Sequence, residues 1–167
     1  MMSSTSTSPS RSTTDVTDDG SEPLISGLHH VNLLVPPHTL HLAEAFYAGT
    51  LGLTQVVVPN SSKAHLAWFA IASSGQQLHI TSEHYLNHVQ MQAQAESPRH
   101  LCLRISTESR LDKVHRMIWQ QYEGGEEGAP VYCDEPGNDN GGRGTSGDFP
   151  KRFFARDYAG NRLEFSL

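Results

Sequence analysis

The stretch GLHHVNLLV at residues 27–35 decides the fold, because the chain nearly repeats it as SPRHLCLRI at residues 97–105. Aligning the two segments places His30 on His100. A second repeat pairs GQQLHI at 75–80 with GNRLEF at 160–165, and it places His79 on Glu164. Two strand-like segments in each half, each carrying one metal-capable side chain at the same place, indicate a duplicated unit whose halves share a site.

Both halves show the order β-α-β-β-β. Apolar patterning and turn residues predict strands over 28–35, 54–59, 64–72 and 77–81, with a helix over 39–51. In the second half they predict strands over 100–105, 131–134, 152–156 and 162–166, with a helix over 108–122. Residues 87–96 form a polar connector, and the glycine-rich stretch 137–148 is a candidate lid or substrate-contact loop. The sequence therefore predicts an α+β domain at 27–167, with modules at about 27–83 and 97–167.

Bulk composition excludes several classes of protein. The 167 residues are 37% hydrophobic, enough for one domain with a sizeable core. A net charge of -6 argues against nucleic-acid binding, and no apolar run is long enough to span a membrane. Two cysteines fit a reducing compartment better than a disulfide framework.

Residues 1–26 are rich in Ser, Thr and Asp, which predicts a disordered tail. The tail has no secretory apolar segment, and its acidic residues are unusual for a transit peptide. We therefore expect a cytoplasmic protein, with organellar targeting by the tail left open.

Four residues are candidate metal ligands. Strand alternation places apolar neighbours of His79 and of Glu164 on the packed face, so these two side chains face the opposite way. His30 and His100 occupy matched positions in the opening strands. Three imidazoles and a carboxylate suit a divalent ion such as Zn, Ni, Co, Mn or Fe, and a Glu buried among them is costly without a cation. The alternative is that all four are simply solvated.

Other side chains on this face are candidates for substrate binding. Asn32 and Arg104 point the same way as the ligands, and Arg143 lies in the glycine-rich loop. Arg104 can pair with an anionic substrate, although a structural salt bridge is an equal alternative. Cys102 is predicted to be a packed thiol at the cavity wall.

Three segments resemble the vicinal oxygen chelate superfamily: HV at 30–31, FYAGTLGL at 46–53 and DYAGNRLE at 157–164. This superfamily contains glyoxalase I, fosfomycin-resistance thiol transferases, extradiol dioxygenases and bleomycin-binding proteins. The resemblance covers residues 27–167 and implies paired βαβββ modules that form a cupped, mostly antiparallel mixed sheet around a divalent metal. The family's metal positions fall on His30, His79, His100 and Glu164.

The chain also departs from the family pattern. Tyr158 stands where the last turn usually has Pro, and His79 stands where glyoxalase I usually has an acid. Bleomycin-binding members lack the metal set, so that role is not expected. Members pair their modules within one chain or between two, which makes a homodimer the expected partner state.

The resemblance implies a glyoxalase I-like lyase or isomerase, similar to lactoylglutathione lyase, that acts on a small metal-chelated oxygen substrate through an enediolate. Glu164 would be the catalytic residue that moves the proton, and glutathione is a possible cosubstrate. One alternative is an extradiol-type Fe(II) dioxygenase using His30, His100 and Glu164. Against it, His79 would fill an open metal position and Phe154 replaces a signature Tyr. Another alternative is a non-catalytic small-ligand-binding module with a closed zinc centre.

Overall fold

The computed structural model describes residues 25–82, 92–93, 96–137 and 150–167. The predicted tail, the connector at 87–96 and the glycine-rich loop with Arg143 lie wholly or mostly outside these residues. No helix in the described ranges is both long and apolar enough to cross a membrane.

Each module forms one four-stranded sheet. The first contains β1 (His30–Val35), α1 (His41–Ala43) with a π-helical continuation (Glu44–Thr50), β2 (Thr54–Val56), a 3₁₀ turn (Asn60–Ser62), β3 (Leu66–Ala70) and β4 (Gln77–Ser82). The second contains β5 (Leu101–Arg104), α2 (Glu108–Gly124), β6 (Tyr132–Cys133), β7 (Arg152–Arg156) and β8 (Arg162–Ser166). The strand orders are β1-β4-β3-β2 and β5-β8-β7-β6. The predicted α+β fold of two βαβββ modules is confirmed.

Strand register reproduces the sequence repeat in space. β1 runs parallel to β4, and β5 runs parallel to β8, whereas the other pairs are antiparallel. Asn32 is paired with His79 in one sheet, and Cys102 is paired with Glu164 in the other. The two candidate ligands of the closing strands therefore occupy equivalent positions in equivalent sheets.

Burial of one sheet face fixes which face stays open. Leu78 and Ile80 flank His79 and are fully buried, and Leu163 and Phe165 flank Glu164 in the same way. Burying an aliphatic or aromatic side chain of this size contributes about 1.5–3 kcal/mol. A one-residue slip would turn these side chains to the open face, so packing holds His79 and Glu164 in their orientation.

Two predicted elements differ most from the observed ones. The first helix is α-helical for only three residues, after which Leu51 N–H donates to Phe46 O at 3.0 Å, a bond that spans five residues. Apolar spacing predicts a helix but does not distinguish this wider turn. Strand β2 ends at Val56, whereas the sequence predicts an end at residue 59. Pro59 has no backbone N–H that could donate to a neighbouring strand.

A buried carboxylate joins the two modules. The Tyr47 hydroxyl donates to Asp157 Oδ2 at 2.6 Å, and the backbone N–H groups of Ala159 and Asn161 donate to Asp157 Oδ1. Asn161 Nδ2 donates to Asp157 Oδ2 and to the carbonyl oxygen of Leu34. Burial raises the pKa of Asp157, and these donors oppose the shift. The network ties the helical segment and β1 of the first module to the last turn of the second.

Two neighbouring glycines, Gly124 and Gly125, lie at the C-terminal end of helix α2. Replacing each of them by alanine tests how the helix ends. Gly125 has φ 61° and donates its N–H to Gln121 O, whereas Gly124 is helical, and a Cβ at either position would meet nothing within 4 Å. We expect Gly125→Ala to lower the free energy of unfolding by about 1 kcal/mol, because left-handed backbone strains any side chain. Gly124→Ala should leave stability unchanged or raise it by up to about 1 kcal/mol. Urea unfolding of both variants measures the difference, and equal effects would contradict it.

Candidate metal centre

The open face of the first module carries three stacked rings. The indole of Trp68 on β3 stacks on His79 of β4, with ring centroids 4.6 Å apart and planes 14° apart. His79 in turn stacks on His30 of β1, at 4.1 Å and 10°. The Nε2 atom of His79 lies 2.9 Å from Gln77 Oε1. Burial, followed by the neighbouring His30 and His29, lowers the pKa of His79, which favours the neutral imidazole that a metal requires.

The second module carries a histidine–carboxylate pair at the equivalent place. His100 Nε2 lies 2.8 Å from Glu164 Oε2, and Arg152 Nη1 donates to Glu164 Oε1 at 3.1 Å. Glu164 is only 6% exposed. From the sequence, a buried Glu164 carboxylate was expected to need a metal cation to compensate its charge. Arg152 also supplies a compensating positive charge, so the burial of Glu164 does not by itself require a metal. Arg152 was missed, although alternation along β7 would have placed it on this face.

Within one chain, the four predicted ligands form two pairs. Among the residues that the structure describes, no group of three or more His, Cys, Asp or Glu side chains is arranged to hold a metal ion. His30 and His79 lie on one sheet, whereas Glu164 lies on the other and His100 immediately precedes strand β5 of that sheet. The prediction that all four line one cavity stays a prediction, and the described residues of one chain show the four ligands as two pairs.

The predicted substrate-binding residues have different surroundings. Asn32 lies on the open face, where its Oδ1 accepts the Thr81 hydroxyl at 2.7 Å. Arg104 is exposed and forms no ion pair within the described part of the chain, which gives the structural salt bridge no support. Cys102 is exposed rather than packed, and burial followed by the charge of Glu164 raises the pKa of its thiol. Arg143 lies outside the described residues.

A cleft of about 510 Å³ opens between β1 and the start of β5. Asn32 lines one wall, and His100 and Arg162 line the other. The cleft therefore reaches His100 in the second module, and in the first module it reaches Asn32, which is paired with His79.

Comparison with known proteins gives matches in structure but not in sequence. The chain matches no protein-family model and no curated protein. A solved protein of Bacillus anthracis, described as belonging to the glyoxalase family, superposes with a TM-score of 0.58 at 25% identity, over 86% of this chain and 96% of that one. A glyoxalase/bleomycin resistance protein/dioxygenase from Alicyclobacillus acidocaldarius matches at 17% identity and a TM-score of 0.52, over 84% and 89%.

A third match includes a bound metal. A mutant of the fosfomycin resistance protein FosX from Listeria monocytogenes, complexed with Mn(II) and 1S,2S-dihydroxypropylphosphonic acid, superposes with a TM-score of 0.59. The two chains are 16% identical, and the match covers 86% of this chain and 93% of that one. At this identity the similarity establishes the shared fold.

Proposed function

We propose that this chain, which has the vicinal oxygen chelate fold, is a metal-dependent enzyme of the glyoxalase type. Its reaction would be a lyase or isomerase step on a small substrate that offers two neighbouring oxygens to the metal. The observation that carries the proposal is the placement of His30 with His79, and of His100 with Glu164, at equivalent positions of two open sheet faces. These residue types suit a divalent cation, and Mn(II) in the FosX complex supports including manganese among the candidates.

The complete site would form between two chains of a homodimer. One chain offers two half-sites of two ligands each, and neither half-site alone provides the three protein ligands of a typical catalytic centre. Facing the first module of one chain with the second module of its partner would assemble three imidazoles and one carboxylate twice. The two sites are then related by the two-fold symmetry of the dimer.

Each of the proposed site residues would have a separate role in the reaction. A divalent metal, when bound, polarises the substrate oxygens and stabilises the negative charge of an enediolate. His30, His79 and His100 would hold that cation. Glu164 would move a proton between adjacent carbons through Oε2, while Arg152 keeps the carboxylate oriented through Oε1. Glutathione is proposed as the cosubstrate on the resemblance to glyoxalase I alone.

Oxygen consumption and the effect of metal chelation on the fold distinguish this proposal from the two alternatives. An Fe(II) dioxygenase would consume oxygen, but the ring beside His100 is Phe154, at 5.6 Å, and it offers no phenolic proton. A binding module with a closed zinc centre would unfold on chelation, whereas a catalytic centre would lose activity and keep its fold.

The test begins with protein purified without added metal and analysed for bound elements. Samples loaded with Zn, Ni, Co or Mn are assayed with the hemithioacetal of glutathione and methylglyoxal, and Fe(II) samples with catechol in an oxygen electrode. The proposal predicts about one metal per chain and lyase turnover without oxygen uptake. Failure to take up any metal of the series would contradict it, and oxygen consumption would favour the dioxygenase.

A further inference from the structure

Gln77 lies beside His79 on the open face of the first module. Both residues belong to β4, and residues two apart in a strand point to the same face. The backbone N–H of Gln77 donates to His29 O at 3.0 Å, and its partner on β3 is Ala70, whose small side chain leaves room for the amide. The sheet therefore fixes the backbone of Gln77 and leaves its side chain space to reach His79.

The contact between the two side chains determines which nitrogen of His79 carries a proton. Gln77 Oε1 lies 2.9 Å from His79 Nε2, and an amide oxygen only accepts hydrogen bonds. His79 Nε2 is therefore the donor. A neutral imidazole has one N–H, so the free lone pair is on the other nitrogen, Nδ1. Within the described residues, Nδ1 has no hydrogen-bond partner.

Stacking limits how the ring of His79 can turn. The Trp68 indole on β3 covers one side of the ring and His30 on β1 covers the other, with planes 14° and 10° from that of His79. A ring held between two planes has two orientations, which differ by a half-turn about the Cβ–Cγ bond. The half-turn would move Nε2 away from Gln77 Oε1. The hydrogen bond to Gln77 therefore selects one of the two orientations.

His100 in the second module is held in a comparable way. Its Nδ1 lies 3.0 Å from Pro98 O, a carbonyl oxygen that only accepts, so Nδ1 carries a proton. Its Nε2 faces Glu164 Oε2 at 2.8 Å. In each module, one ring nitrogen thus donates to an amide or peptide oxygen. Histidines that bind metals usually donate their second ring N–H to an oxygen acceptor in this way.

We propose that Gln77 is a positioning residue for His79: it accepts the Nε2 proton, holds the orientation of the ring and leaves Nδ1 as the nitrogen that binds the cation. The orientation of the ring is a property of the metal-free chain. Binding of a cation through Nδ1 rests on the proposed function. The two modules would then use different nitrogens, Nδ1 of His79 and Nε2 of His100.

The ring spectrum of the metal-free full chain tests the orientation. Two-dimensional proton–nitrogen NMR at about pH 8, where an ordinary histidine is neutral, shows which ring nitrogen carries the proton. The His79 signal is identified by its absence in His79→Ala. The parent should show a proton on Nε2 that exchanges slowly with water, because it is hydrogen-bonded. Gln77→Met keeps the length of the side chain, removes the acceptor and should lose this slowly exchanging proton.

Three further variants control for effects other than the hydrogen bond. Gln77→Glu keeps an acceptor oxygen and should restore the signal, and Gln77→Ala should lose it as Gln77→Met does. Gln76→Met makes the same substitution one residue earlier, where only backbone atoms bond to Ile71 and Ser74, and it should leave the signal unchanged. A proton on Nδ1 in the parent, or an Nε2 signal that survives Gln77→Met and Gln77→Ala, would overturn the inference.

Zinc titration separates this inference from the proposed function. Gln77→Met should bind Zn(II) about 10–100-fold more weakly than the parent, as is typical when such an acceptor is lost, and Gln76→Met should bind it equally well. The Zn(II)-loaded parent should keep the proton on Nε2, and displacement of that proton by Zn(II) would overturn the assignment of Nδ1. If the parent takes up no metal, the proposed function fails, while the spectra of the metal-free chain still support or overturn the role of Gln77.

Discussion

Glu164→Gln is expected to lower kcat by at least about 1000-fold, because the amide cannot accept the proton that the carboxylate transfers. The three histidines remain, so the variant should still bind the metal when the metal is saturating. The measurement is turnover of the glutathione hemithioacetal by the metal-loaded variant, with bound metal quantified in the same sample. Gln keeps the shape of Glu164, which is 6% exposed, so the fold should survive.

A glutamate outside the site provides the control for this experiment. Glu108 at the start of α2 pairs with Lys151 at the protein surface, with 65% of its side chain exposed. Glu108→Gln removes the same charge and should keep activity within about twofold, since exposed ion pairs contribute little. Full activity in Glu164→Gln would exclude the proposed proton transfer. Equal losses in the two variants would indicate a general effect of charge.

The largest expected effect on stability is at Asp157. Asp157→Ala should lower the free energy of unfolding by about 3 kcal/mol or more, because it leaves the Tyr47 hydroxyl, two backbone N–H groups and the Asn161 amide without their buried acceptor. Denaturant unfolding monitored by tryptophan fluorescence measures the change. A loss below about 1 kcal/mol would show that the modules do not depend on this network.

Two tyrosines give a matched control for that prediction. Tyr47→Phe removes one donor to Asp157 and should cost about 1.5–3 kcal/mol, as for a hydrogen bond to a charged group. The Tyr158 hydroxyl is buried and has no hydrogen-bond partner within the described residues, so Tyr158→Phe should be neutral or stabilising. If Tyr158→Phe were the more damaging substitution, the assignment of the network would be wrong.

Local patterns in the sequence were enough to predict the two modules and the open faces. Alternation around His79 and Glu164 has a period of two, and the apolar neighbours that it places on the packed side are fully buried. The repeat of His30 by His100 similarly predicted two equivalent modules, and the two sheets have the same strand order.

Features that depend on distant segments were not predictable in this way. The contact of Arg152 with Glu164 requires the register of two strands, and the bond from Tyr47 to Asp157 joins residues 110 positions apart. The separation of the four ligands into two pairs depends on how the two modules pack against each other. The periodicity of the sequence carries no information about that packing. For the same reason, the sequence alone left open whether one chain or two complete the site.

A hybrid of two defective chains tests the central claim most directly. One chain carries His30→Ala and His79→Ala, its partner carries His100→Ala and Glu164→Gln, and different affinity tags allow purification of the mixed dimer. The measurement is bound metal per dimer after loading. A site shared between chains predicts about one metal in the hybrid, two in the parent and none in either variant homodimer. A hybrid without metal, beside a parent that binds two, would contradict the shared site and place all four ligands within one chain.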